Sequence, residues 1–151
     1  MKPSKHHLLH LLNQQVRTLN KQVNEKLKDH ELYFSQWSIL YCLFKNGPMT
    51  QTAIWQYLNV EAPTVTRTIT RLEQNGWVLR EPGPDKRERI IKITEASQAK
   101  VEQLVEVIRT YEENLIGLTE QEEEQLRLLL NKLGLKERKN NYEEHTKSDL
   151  D

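Results

Sequence analysis

The sequence has few of the features that point to a secreted or membrane protein. It contains one cysteine in 151 residues, so no disulfide can form within the chain, which favours a reducing cytoplasm. No apolar run approaches the length of a membrane span, and the run from Leu8 to Leu12 is too short for a signal peptide. Internal repeats and low-complexity linkers are also absent. We therefore expect a cytoplasmic protein with one folded domain and no membrane partner.

Catalytic signatures are missing from the sequence as well. There is no glycine-rich phosphate loop, no nucleophile paired with a base in a recognisable setting, and no metal-ligand spacing. His6 and His10 are spaced for one helix face with His7 beside them, but two imidazoles alone do not make a metal site. Cys42 lies in an apolar run, which favours a buried structural thiol over an oxidant sensor. We expect no enzymatic activity, no metal and no cofactor.

The net charge is +0, but the charge is unevenly distributed. Hydrophobic residues make up 36% of the chain and charged residues 29%, as expected for a globular protein with exposed helices. Basic residues exceed acidic ones in segments 2–30 and 60–92, whereas acidic residues exceed basic ones from Thr119 onward. The neutral total argues against a nucleic-acid binder with evenly spread charge, and the local basic excess keeps that function open.

Segment 60–76 is predicted to be a helix with two different faces. Val65, Ile69 and Leu72 are spaced i, i+4 and i+7, which makes one buried stripe. Pro63 suits the first helical turn. The opposite face carries Thr64, Arg67, Thr70, Arg71 and Gln74 and no carboxylate. A solvated face usually mixes in acids, so this face favours an anionic, hydrogen-bonding partner.

A basic hairpin follows this helix. Asn75-Gly76 is predicted to end the helix, and two alternating segments, 77–81 and 89–93, are joined by a Pro/Gly turn that ends at Asp85. The hairpin tip, 86–89, is rich in lysine and arginine. A helix with a basic face followed by a basic hairpin is the layout of a winged helix-turn-helix fold, which is mainly α with a small β-hairpin wing.

Further helices are predicted from apolar periodicity and capping residues. They cover about 5–30, a segment that starts after an N-cap at Ser35, and 51–58, which completes a helix-turn-helix at about 51–74. Two more lie between about 95 and 134: one is capped by Thr94, and the other begins at a capping box of Thr119 and Glu122. The wing spans about 77–94. The polar segment 136–151 is predicted to be a disordered tail.

The terminal helices carry apolar stripes that little else in the chain can cover. In the first helix the stripe is a heptad-like seam of Leu9, Leu12, Val16, Leu19 and Val23. Uncovered stripes of this kind typically pack against a second copy of the chain. We therefore expect a homodimer that presents two recognition helices about 34 Å apart, one turn of DNA, to an inverted repeat.

Over about residues 5–135 the sequence resembles the MarR family of bacterial winged-helix transcriptional regulators. Asp85-Lys86-Arg87 and the segment 93–96 are similar to the family's wing signature, and segments 63–67 and 72–78 are similar to its recognition helix and the entry into the wing. Segment 37–40 resembles the family's second helix. Ser97 stands where the signature has glycine, and Glu61 stands where an N-cap serine is common.

The resemblance implies a cytoplasmic dimer joined through its first and last two helices, which represses a neighbouring operon and releases DNA when a small molecule acts. It also implies roles for residues. Those expected to bind DNA are Pro63, Thr64, Thr66, Arg67, Thr70 and Arg71 in the recognition helix, and Lys86, Arg87 and Arg89 in the wing. Asp85 is expected to support the wing, by pairing with an arginine in or near the hairpin.

Two further interpretations are open. The aromatic group Tyr33, Phe34, Trp37, Tyr41 and Tyr111 is typical of a core, and the resemblance adds a pocket for a small aromatic effector as the alternative. The neutral net charge and the acidic C-terminal part favour a different class of function, a winged-helix module that binds a partner protein and not DNA.

Overall fold

The computed structural model describes residues 6–114 and 117–134, and the segment 136–151 that we predicted to be disordered lies outside these residues. The described residues form α1 (His6–Leu27), α2 (Phe34–Asn46), β1 (Met49–Thr50), α3 (Gln51–Leu58), α4 (Ala62–Gln74), β2 (Val78–Pro82), β3 (Arg89–Ile93), α5 (Glu95–Glu113) and α6 (Glu120–Lys132). A short 3-10 helix, Lys28–His30, follows α1. The predicted mainly helical fold with a small β-hairpin is confirmed. No described helix is long and apolar enough to cross a membrane.

The chain divides into two compact units between Glu112 and Glu113. The first unit has one core, to which α1–α5 and the hairpin all contribute. Its aliphatic side chains with no exposed surface are Leu27, Leu40, Ile54, Ile69, Leu72, Ile91, Val101 and Leu104. Burying one such aliphatic side chain contributes roughly 1.5–3 kcal/mol relative to leaving it in water. The helix-turn-helix and the wing therefore share a core.

The sheet has three antiparallel strands in the order β1-β3-β2. Ile91 of β3 lies opposite Arg80 of β2 on one side and Met49 of β1 on the other. Strand β1 is two residues long and was not predicted, because so short a segment has no detectable periodicity. It pairs the residues just before α3 with β3, and so attaches the wing to the helix-turn-helix.

The predicted starts of three helices have different outcomes. Helix α3 begins after Thr50, as predicted, and Thr50 caps it by accepting a hydrogen bond from the N–H of Ala53 at 3.1 Å. The capping box of α6 is also confirmed. The start of α2 was wrong: the N-cap is Tyr33 and not Ser35. The side chain of Asn24 in α1 accepts the N–H of Phe34 at 2.7 Å, so a contact from outside the helix fixes its first turn.

Helix α4 ends in a left-handed turn at Gly76. The φ angle of Gly76 is +80°, and its N–H donates to the carbonyl of Glu73 at 3.1 Å. The N–H of Trp77 donates to the carbonyl of Leu72 at 2.9 Å. This hydrogen-bond pattern satisfies carbonyls at the helix C-terminus and turns the chain directly into β2.

The carbonyl of Gly76 also connects α4 to α5. It accepts hydrogen bonds from the hydroxyls of Thr94, at 2.8 Å, and Ser97, at 3.0 Å. Thr94 directly precedes α5, at the position where we predicted its cap, and its hydroxyl donates to this carbonyl. Ser97, which departs from the family signature, is buried and takes part in the same contact.

The terminal helices differ in how far their apolar stripes are covered. In α1, Leu9 is 69% exposed, whereas Val23 near the end of the helix is buried. In α6, considered by itself, Leu126, Leu129 and Leu130 are exposed, and so is Leu133 directly after the helix. The N-terminal part of α1 and the leucines of α6 match the uncovered stripes expected from the sequence. In α5 the expectation was wrong, because Val101, Leu104 and Ile108 are buried in the core of the first unit.

Candidate nucleic-acid interface

Helix α4 buries one side and exposes the other, as its sequence predicts. Val65, Ile69 and Leu72 are buried in the core. The predicted DNA-binding residues lie on the remaining surface: Pro63, Thr66, Arg67 and Arg71 are exposed, whereas Thr64 and Thr70 are half-buried. The helix therefore presents two guanidinium groups and a threonine hydroxyl to solvent.

The threonine hydroxyls of α4 are engaged with its backbone. Those of Thr66 and Thr70 donate to the carbonyls four residues earlier, at 3.0 Å and 2.9 Å. Thr68 makes the same contact with the carbonyl of Thr64 at 2.8 Å. Because each hydroxyl has one proton, these groups remain available chiefly as hydrogen-bond acceptors.

Gln51 was not among the predicted site residues. It is the first residue of α3, and its Nε2 donates to Oγ1 of Thr66 at 3.0 Å. The contact joins the first turn of α3 to the exposed face of α4. Nothing in the sequence pattern singles out Gln51, because the contact depends on how the two helices cross.

Arg80 is the second residue that sequence reasoning missed. It lies in β2, and its Nη2 donates to Oγ1 of Thr70 at 2.9 Å and to the carbonyl of Thr66 at 3.3 Å. Its Nη1 lies 3.4 Å from Oε1 of Glu73. Thr70 is therefore used in a contact between α4 and the wing, and its predicted role in DNA binding stays a prediction.

The wing tip is shaped by a turn around Asp85. Oδ1 of Asp85 accepts the backbone N–H of Arg87 at 3.2 Å, and the carbonyl of Asp85 accepts the N–H of Glu88 at 3.0 Å. The N–H of Gly83 donates to the carbonyl of Glu88 at 3.1 Å. Asp85 thus supports the wing through backbone contacts. Within residues 6–114 and 117–134 it forms no ion pair with an arginine, which differs from the pairing that we expected.

The basic side chains of the wing tip point into solvent. Lys86, Arg87 and Arg89 are exposed, and in the described part of the chain none of their side chains makes a hydrogen bond or an ion pair. Lys92, farther along β3, is instead paired with Glu81 at 2.7 Å. The three tip cations are therefore available to a polyanion, since no described carboxylate forms an ion pair with them.

The predicted aromatic pocket is only partly assembled. The rings of Trp37 and Tyr41 lie 6.0 Å apart, with Trp37 buried and Tyr41 exposed. The side chain of Tyr33 is exposed, and the Tyr111 hydroxyl donates to Oε1 of Gln22 in α1.

A cleft of about 230 Å³ lies elsewhere in the first unit, and its lining is mostly polar. The residues that line it are His30, Glu31, Asn75, Trp77, Ser97 and Lys100. The ammonium group of Lys100 lies 5.9 Å from the centre of the Trp77 ring. None of the predicted pocket aromatics belongs to this cleft.

The remaining chemical groups fit structural roles. Cys42 is fully buried, and burial raises the pKa of its thiol, while a hydrogen bond from Asn46 opposes this shift. A raised pKa keeps the thiol protonated and slow to react. Over the described residues, no three His, Cys, Asp or Glu side chains are placed to hold a metal ion. The side chain of His6 lies outside this description.

The helix-turn-helix, the three-stranded sheet and the exposed basic surface define a winged helix-turn-helix protein. The family model described as the MarR family matches residues 32–88. Over 111 residues the chain is 53% identical to the uncharacterized HTH-type transcriptional regulator YwoH of Bacillus subtilis (strain 168). The aligned region covers 74% of this chain and 81% of the relative. The chain therefore belongs to the MarR family and is a transcriptional regulator, which agrees with the expectation that it is not an enzyme.

Solved structures of family members have the same fold. The MarR protein of Peptoclostridium difficile has a TM-score of 0.81 at 22% identity, over 95% of each chain. A mutant of MarR from E. coli, complexed with operator DNA, has a TM-score of 0.72 at 29% identity, over 85% of this chain and 91% of that one. These relatives give no support to the alternative of a module that binds a partner protein.

Proposed function

We propose that this protein is a sequence-specific DNA-binding repressor in the cytoplasm, which acts as a homodimer on an inverted-repeat operator. The observation that carries the proposal is the exposed face of α4 beside the unpaired cations of the wing tip. Arg67 and Arg71 lie one helical turn apart on that face, and Arg87 lies in the wing. The operator complex of the E. coli relative supports this assignment.

The two parts of the surface suit different parts of a duplex. Arg67 and Arg71 present planar guanidinium groups that can bind phosphates or the O6 and N7 atoms of guanine in the major groove. The hydroxyls of Thr64 and Thr66 can accept from base or sugar donors. Lys86, Arg87 and Arg89 at the wing tip can reach the backbone or the minor groove. Phosphate contacts supply affinity, and the α4 contacts supply sequence selection.

Dimer formation is proposed from the exposed leucines of the terminal helices. Leu9 in α1 and Leu129 in α6 are 69% and 59% exposed, and surfaces of this kind are expected to pack against a second copy. A two-fold dimer presents two copies of α4, and a palindromic operator has the same symmetry.

Release by a small aromatic effector is proposed from the exposed aromatics Tyr33 and Tyr41 beside buried Trp37. An effector shifts the equilibrium only if it binds the DNA-free state more tightly than the DNA-bound one. The test is operator binding with and without salicylate as a phenolic probe, in wild type and in Tyr41→Ala. A wild-type loss of affinity that the variant lacks is expected, and equal behaviour of the two would contradict the pocket.

Three variants test the DNA-binding surface. Arg67→Ala and Arg87→Ala each remove one exposed cation of the proposed interface, whereas Arg17→Ala removes an exposed cation from α1. We expect each interface variant to weaken operator binding about tenfold and to lower the salt dependence by about one counterion, measured by fluorescence anisotropy. Arg17→Ala should bind like the wild type. Unchanged binding by both interface variants would contradict the proposal.

A further inference from the structure

Arg80 occupies an unusual position for a charged residue. It is the middle residue of the edge strand β2 and lies opposite Ile91 of the central strand β3, which has no exposed surface. Its side chain is 22% exposed and points towards α4, where both terminal nitrogens find acceptors. Its Nε is buried and, within the part of the chain that the structure describes, has no hydrogen-bond partner.

Stability alone gives no reason for an arginine here. A buried donor without a partner is unfavourable, and replacing a buried polar group by a well-packed apolar side chain is often neutral or stabilising. What distinguishes Arg80 from an apolar residue is that its guanidinium group contacts hydrogen-bond acceptors on α4.

The acceptors of Arg80 span two turns of the candidate recognition helix. They belong to Thr66, Thr70 and Glu73, at positions i, i+4 and i+7, along the edge between the exposed and buried faces. Thr66 is itself one of the predicted DNA-binding residues. One side chain from the wing therefore holds the central part of α4 at several points.

We propose that Arg80 is a positioning residue that fixes the wing to α4, so that the two surfaces meet DNA as one preorganised unit. This inference rests on the proposed DNA-binding function. The ion pair of Lys92 and Glu81 joins β2 to β3 within the hairpin, and among the described residues neither side chain makes a hydrogen bond or an ion pair with α4. Preorganisation removes the cost of ordering two surfaces at the moment of binding.

The fork of donors in arginine is necessary for this role. A guanidinium group presents five N–H donors in a fixed plane, whereas a lysine ammonium is a compact charge on a flexible stem. Arg80→Lys keeps the net charge, and therefore the long-range attraction to DNA, but it cannot hold all three acceptors. This variant separates the positioning role from simple electrostatics.

A double-mutant cycle in the full-length protein tests the inference. Arg87→Ala is made in the wild type, in Arg80→Lys and in the control Lys92→Met, and operator affinity is measured for each. In the wild type and the control, losing Arg87 should weaken binding about tenfold. In Arg80→Lys, where the wing is no longer held, the same loss should be about threefold or less, since coupled residues are not additive.

A smaller loss of operator affinity from Arg87→Ala in Arg80→Lys than in the wild type distinguishes a positioning role of Arg80 from a loss of folding stability. A destabilised variant has a smaller folded fraction, and that fraction scales every affinity by the same factor. If Arg87→Ala costs the same in Arg80→Lys as in the wild type, the inference is overturned. If the wild type itself shows no specific DNA binding, the proposed function fails instead.

A measurement without DNA distinguishes a failure of the inference about Arg80 from a failure of the proposed DNA-binding function. Spin labels are attached at Gln74→Cys in α4 and Lys86→Cys at the wing tip in a Cys42→Ala background, and the labelled protein is diluted with unlabelled protein. Electron–electron double resonance should give a narrow distance distribution with Arg80 and a broader one with Arg80→Lys. Equal widths would overturn the inference, whatever the result with DNA.

Discussion

Replacing Gly76 by alanine tests how α4 is terminated. The φ angle of +80° lies in the left-handed region, where a residue with a Cβ is less stable by about 1–2 kcal/mol. No atom lies within 4 Å of the position that a Cβ would take, so no steric clash is added. Alanine also restricts the unfolded chain, which returns roughly 0.4–1 kcal/mol. We expect Gly76→Ala to lower the free energy of unfolding by about 1 kcal/mol.

The assay is urea unfolding followed by circular dichroism at one fixed protein concentration, because the stability of a dimer depends on concentration. The dependence of the free energy on urea should not change, since the exposed surface is the same. Gly76→Asn is the matched variant: asparagine adopts the left-handed region more readily, so its loss should be smaller. An alanine variant as stable as the wild type would refute the reasoning.

Three further outcomes follow from burial and hydrogen bonding. Ile69→Ala opens a cavity in the core and should lower the free energy of unfolding, measured in urea, by about 2–5 kcal/mol. The control Arg71→Ala, at an exposed position, should change the free energy of unfolding by less than about 0.5 kcal/mol. Equal losses in the two variants would contradict the assigned burial. Because burial raises the pKa of the Cys42 thiol, labelling with iodoacetamide at pH 8 should be slow in the native protein and fast in urea, and equal rates would contradict this burial. The backbone N–H of Thr119 makes a hydrogen bond to Glu122 and lowers the pKa of its carboxyl group. The helicity of α6 that this hydrogen bond stabilises should be complete above the ordinary glutamate pKa, and it should be lost as the pH falls through the lowered pKa. Glu122→Gln should remove that pH dependence in circular dichroism, and a variant that keeps it would contradict the assignment.

Elements with local signals were predictable from the sequence. Helix α3 begins after Thr50 and α6 begins at the capping box of Thr119, both as expected, because a hydroxyl that accepts an N–H three residues on acts within one turn. The buried stripe of α4 and the turn at Gly76 also follow from spacing and residue type alone. These features depend on neighbours in the sequence and not on the rest of the fold.

Elements fixed from a distance were not predictable. The first turn of α2 is held by Asn24, ten residues earlier on another helix, so the start expected at Ser35 was wrong. Strand β1 exists through its pairing with Ile90 and Ile91, about forty residues later in the chain. In both cases the deciding partner is close only after the chain has folded.

In the candidate site, too, some features follow from local sequence signals and others depend on distant contacts in the fold. The exposure of Arg67 and Arg87 agrees with the predicted face and tip, whereas the use of Thr70 by Arg80 depends on how β2 crosses α4. One sequence signal for this contact existed. Val78 and Arg80 alternate on the inward side of β2, and an arginine at an inward strand position indicates a specific partner.

DNA binding is tested most directly by the purified protein on DNA from upstream of its own gene, at several salt concentrations and against a scrambled competitor. Specific binding of one dimer per site, with affinity that falls steeply as salt rises, is the expected result. If the scrambled DNA competes for binding as well as the upstream DNA does, this result would contradict the proposed function.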